Sequence, residues 1–162
     1  MTRLSNSSMV RIRKVCLGLA AFPLLFPSLA AAQKRTQSAG DENPVFHEYR
    51  GVQIGMSTDD ARKKLGNPKD KGDEQDIYIF SEKESAQVVY DKEHKVSTLS
   101  VDFLPGASDI PTPKAVLGSD LEAKPDGSMH RLIRYTKAGY WVSYSRTAGD
   151  SPMISITIQR IN

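Results

Sequence analysis

The chain predicts an α+β domain: two tandem units, each a short helix followed by a three-stranded antiparallel meander, together forming one domain. Three observations carry that expectation. A capped helix of about two turns is written into 51–68 (GVQIGMSTDDARKKLGNP). Runs rich in β-branched and aromatic residues follow it, one of them in clean alternation. The same order of signals then returns in the second half of the sequence.

The first 32 residues read as an export signal. Arg3, Arg11, Arg13 and Lys14 form a basic start without an acid, and an apolar run from Val15 to Leu29 closes on Ala30, Ala31 and Ala32. Small side chains at Ala30 and Ala32 suit a signal peptidase, which places cleavage between Ala32 and Gln33, with Ala30/Ala31 the alternative. An uncleaved membrane anchor is the competing reading. Pro23, Pro27 and the short apolar stretch oppose it. The expected location is periplasmic or secreted, with no integral membrane span after cleavage.

Removing those four cations from 22 basic residues leaves 18 against 19 acidic ones, a net charge of −1 in place of +3. Without a basic surplus there is no electrostatic footprint for nucleic acid. The single cysteine, Cys16, lies inside the signal, so the mature chain is expected to hold no disulfide and no thiolate site. About 130 residues then remain, enough for one domain to bury a core without covalent staples.

The segment 33–44 (QKRTQSAGDENP) lacks branched or aromatic apolar residues and reads as a flexible leader. The domain is expected over 45–162, with halves at about 45–104 and 105–162. In the first half, Ser57 is the N-cap candidate and Asp60 completes a capping box. Met56, Ala61 and Leu65 make a narrow apolar stripe over a helix at 58–65. Gly66 suits the left-handed position after the helix, and Pro68 blocks its continuation. Strands are expected at 76–80 (DIYIF), 86–90 (AQVVY) and 96–103 (VSTLSVDF), where Leu99, Val101 and Phe103 share one face. In the second half, Leu117-Gly118 echoes Leu65-Gly66. The same offset sets Asp109 against Ser57 as a cap candidate, and Thr112 with Pro113 at the first helical position is the other. Strands follow at 130–136, 140–145 and 153–161. The two halves are expected to share a core or a continuous sheet, since each alone is marginal in size.

On these residues a family comparison rests. Ile54-Gly55-Met56-Ser57 through Ala61, Leu65-Gly66 and Pro68, with the Tyr90-Asp91 turn and the 99–103 strand, resembles the SmpA/OmlA (BamE-like) family of outer-membrane assembly lipoproteins. The tandem layout is similar to β-lactamase inhibitory protein. The chain departs from that family in lacking a cysteine behind the apolar run, and in its doubling. What the resemblance implies is a small exported module that works by binding an envelope or secreted protein.

Chemistry-bearing motifs are sparse, and no catalytic residue, metal site or cofactor is assigned. His47, His94 and His130 lie on three distant segments, none with a second ligand at helical or strand spacing. A small exported hydrolase or metal-dependent enzyme built on them is the rival reading. There is no G-x-S-x-G elbow and no phosphate-cradling glycine loop. The adjacent acids Asp59-Asp60 and Asp73-Glu74 diverge in direction and suit capping or solvation.

The aromatics point to binding. In 140–145 (YWVSYS), Tyr140, Val142 and Tyr144 share one strand face, and Trp141 shares the other with Ser143 and Ser145. With the tyrosine face in the core, Trp141 stands on a polar face as a binding anchor. Tyr78 and Tyr135, in the first strands of the two halves, are expected to extend that surface. The alternatives are that both faces are covered, or that Trp141 is the core residue. Pairing of a sheet edge with a partner's extended segment is a second binding mode.

Overall fold

The computed structural model describes residues 43–161; the expected signal, its cleavage site at Ala32 and Gln33, and the leader up to residue 42 lie outside the described residues. Strands β1 (Glu48–Tyr49) and β2 (Val52–Gln53) form a small hairpin, followed by helix α1 (Thr58–Leu65). Strands β3 (Asp70–Lys71), β4 (Gln75–Ser81), β5 (Glu84–Tyr90) and β6 (Val96–Phe103) come next. Helix α2 (Pro113–Leu117) then leads into β7 (Met129–Tyr135), β8 (Tyr140–Arg146) and β9 (Ile154–Arg160).

Seven strands make one antiparallel sheet in the order β3-β4-β5-β6-β9-β8-β7. This corrects the expected class. Of the described residues 43% are strand and 11% helix, so the protein is mostly β rather than α+β. Nor are there two tandem helix-plus-meander units: β6 pairs with β9 along six register positions, so the strands belong to one sheet. The elements β1, β2 and β3 have no counterparts in the second half. The physical reason is the size of the helices. At eight and five residues they are too short to bury a core of their own, and the sheet supplies the organising surface.

Helix α1 forms because its ends are satisfied. The Ser57 hydroxyl accepts from Asp60 N at 3.2 Å and donates to the Asp60 carboxylate at 2.7 Å. Gly66 N donates back to Arg62 O. Gly66 does not take the left-handed helical conformation expected of it. Its φ of 85° and ψ of −153° fall in a region open essentially to glycine alone, and Pro68 follows. The start of α1 is stitched to the sheet, since Thr58 N and its hydroxyl both donate to His94 O at 3.0 Å. In α2 the cap is Thr112, whose hydroxyl accepts from Ala115 N, with Pro113 opening the helix. Asp109 instead holds a positive φ of 54° in the loop before it.

The core lies on one face of the sheet. Val52 of the hairpin, Ala61 of α1 and Val116 and Leu117 of α2 are buried there with the inward side chains of the strands. One register row reads Asp76, Val88, Leu99, Ile158, Val142, Ile133 across six strands. Another reads Tyr78, Ala86, Val101, Ile156, Tyr144. Among the described residues, no helix is long and apolar enough to cross a membrane.

Candidate binding face

Period-two alternation sends every other residue of these strands to the opposite face, and there the composition changes. Strand register defines three rows. The first is Gln75, Val89, Thr98, Gln159, Trp141, Arg134; the second is Ile77, Gln87, Ser100, Thr157, Ser143, Leu132. The third is Ile79, Ser85, Asp102, Ser155, Ser145, His130. Of these side chains only Ser143 is buried.

The face has a polar middle and apolar borders. Along β6 and β9, hydroxyls pair across strands: Ser100 with Thr157 at 2.9 Å, and Ser155 donating to Asp102 at 2.5 Å. On the β4 side Ile79 is 56% exposed, and on the β7 side Leu132 is 43% exposed. Next to Leu132, in the adjoining row, stand Trp141 and its register partner Arg134. Trp141 is half-buried and Arg134 exposed. Among the described residues neither makes an ion pair or side-chain hydrogen bond. An indole plane, with Gln159 on one side and the Arg134 guanidinium on the other, therefore forms one corner of this face. Such a corner can bury an apolar group against the ring and pair a carboxylate or carbonyl with the donors beside it.

The expected surface is only partly the observed one. Trp141 stands with Ser143 and Ser145 on the face that no helix covers among the described residues, while Tyr140, Val142 and Tyr144 are core. Tyr78 and Tyr135 do not extend it. They are 1% and 4% exposed and lie on the helix-covered face. The reason is register: Tyr78 is in phase with Asp76, and Tyr135 packs its ring on Tyr140 at 6.2 Å.

That buried face holds a polar cluster that the sequence reading missed. Asp76, fully buried, receives two hydrogen bonds from Arg62 of α1 at 2.8 and 2.9 Å. Tyr90 donates to it at 2.7 Å, Tyr78 at 3.3 Å and Gly72 N at 3.2 Å. Burial by itself raises the Asp76 carboxyl, but the donors Arg62, Tyr90 and Gly72 and the Arg62 charge outweigh it and hold the carboxyl below its ordinary range. Burial, then the adjoining carboxylate, pushes Tyr78 up to about 12 and raises Tyr90 further still. The signal was present: an acid in phase with Tyr78 along an otherwise apolar strand face. The cluster clamps α1 to β4.

The histidines stand apart. His47 lines an open depression of about 530 Å³ with Asn43, Pro44, Lys137, Ala138 and Tyr140. His94, at a φ of 55°, sits in the turn between β5 and β6. His130 is on β7, three strand spacings from β6, or about 14 Å at ~4.8 Å per strand. Among the described residues no three His, Cys, Asp or Glu side chains group closely enough to hold a metal ion.

Comparison with protein-family models, with characterised proteins and with solved structures finds no match for this chain.

Proposed function

We propose that this protein is an exported, non-catalytic protein-interaction module of the cell envelope, an assembly accessory or an inhibitor-like binder, acting in the periplasm or outside the cell. It captures its partner on the uncovered face of the sheet, with Trp141 as the anchor. One observation carries the reading. The only tryptophan of the chain stands on the polar face, beside an exposed Leu132 and an Arg134 that has no ion pair among the described residues, rather than in the core. Hot spots concentrate in Trp, Tyr and Arg, and a core requirement does not account for this placement. The likeness of 54–68 to the SmpA/OmlA family and the basic-then-apolar N-terminus support export and partner binding. The near-balanced charge of the mature chain argues against nucleic acid as the partner.

The rival reading is a small exported hydrolase or metal-dependent enzyme using surface histidines, His94 or His130. With His47 they occupy a β-turn, an edge strand and the loop before β1, and no three metal-ligating side chains group among the described residues, so it is the weaker of the two. The test is capture from native envelope by wild-type protein and Trp141→Ala. Loss of a hot spot is worth about 2 kcal/mol or more, some thirtyfold in affinity, so the partner should vanish from the variant's eluate. Unchanged capture of every partner would sink the site.

A further inference from the structure

The two edges of the sheet differ in kind. At one end β3 is only two residues long, both exposed and both charged, which is how proteins commonly blunt an edge against pairing. At the other end β7 runs for seven residues without proline. Among the described residues, no backbone group outside β8 hydrogen-bonds to the backbone of residues 129–134. Alternate N–H and C=O groups along this strand therefore point outward with no ladder partner among the described residues.

The side chains of β7 decide what could pair there. His130, Leu132 and Arg134 lie on the uncovered face, and Arg131 lies on the helix-covered one. Arg131 donates to the Ser119 hydroxyl at 3.0 Å, which leaves further guanidinium N–H groups to offer. The strand has no acid, and neither arginine is in an ion pair among the described residues. A second copy is disfavoured in the register centred on Arg131, where antiparallel self-pairing sets that residue against its own copy. Like charges directly opposite each other destabilise strand pairs.

We propose that β7 is the docking edge for an extended acidic segment of the partner protein, added as an eighth strand. The segment carries carboxylates that face Arg131 and Arg134, three positions apart and on opposite sheet faces, with an apolar side chain beside Leu132. Main-chain hydrogen bonds to the outward β7 groups provide affinity, and the two arginines select the charge. This rests on the reading of the protein as a partner-binding module, and it places the segment two strand spacings from Trp141, across β7.

The probe is the heptapeptide Thr-Glu-Val-Val-Glu-Thr-Thr, capped at both ends, with its Lys-for-Glu counterpart as control. The readout is amide hydrogen exchange of the intact protein by NMR at low ionic strength. At a peptide concentration about ten times its Kd, exchange of the outward β7 amides should slow about tenfold, with none from the lysine peptide. Arg134→Glu, an exposed substitution, should lose the acidic peptide and gain the lysine one. Three results overturn the proposal: no β7 protection by the acidic peptide, equal protection by both peptides, or β7 protection that grows with protein concentration and needs no peptide. The two readings fail separately. Capture that depends on Trp141 without β7 protection defeats only the edge, and β7 protection with capture indifferent to Trp141→Ala defeats only the face.

Discussion

Asp76 occupies a row otherwise filled by Val88, Leu99, Ile158, Val142 and Ile133, and its charge is tolerated because four separate groups donate to it. Removing one partner leaves the rest of the cluster uncompensated. Arg62→Ala is therefore expected to destabilise the fold by about 3–5 kcal/mol, read from urea unfolding at neutral pH. A loss below about 1 kcal/mol would mean that solvent reaches the carboxylate and the clamp on α1 is weak. The pH dependence follows from the direction of the Asp76 shift. The folded carboxyl titrates below its ordinary 3.8, so the folded state favours the ionised form. That stability is fully present at pH values above the unfolded pKa and is lost as pH falls through the folded one. Wild type should lose more stability than Asp76→Asn between neutral pH and pH values below the unfolded pKa; parallel losses would assign the acid sensitivity elsewhere. On the uncovered side, Trp141→Ala is expected to cost little stability, on the scale of a cross-strand pair at about 0.2–1 kcal/mol, so that lost capture cannot be blamed on unfolding.

Helix α1 joins the readable and the unreadable parts of the sequence. Its bounds, its Ser57 cap and its stop were legible because each is a local signal: hydroxyl to amide, glycine, then proline. The backbone at Gly66 takes a φ of 85° with an extended ψ, and a Cβ there meets nothing within 4 Å. Gly66→Ala is accordingly expected to cost about 1–3 kcal/mol through backbone strain alone, measured by thermal or urea unfolding. A neutral result would show that this turn relaxes freely. The six long strands were legible in the same way, through alternation and β-branched content. The two-residue strands β1, β2 and β3 were not, because such short pairings are set by tertiary context rather than by propensity. For the same reason Tyr78 and Tyr135 were misplaced. Nothing local to either residue says which face of its strand the helices cover. The Asp76–Arg62 pair, fourteen positions apart, became visible only once α1 was laid on β4.

At the scale of the molecule, one antiparallel sheet carries two kinds of surface. One face is sealed by α1, α2 and the β1–β2 hairpin over an aromatic and aliphatic core. The other is left with a hydroxyl-rich centre, apolar borders and the Trp141–Arg134 corner. The alternation in 140–145 set Trp141 on the face opposite Tyr140, Val142 and Tyr144, without saying which of the two would be core. It could not foretell that Arg134 and Leu132 would stand beside it, because that depends on the β7–β8 register. The asymmetry between the faces is the basis of the functional account, and it can be probed directly. A photo-crosslinking amino acid replaces Trp141 in one variant and Lys63, on the exposed side of α1, in another, and both are irradiated in the native envelope. The account predicts a discrete covalent adduct from position 141 and none from position 63. An adduct from position 63 alone, or the same pattern from both, would contradict it.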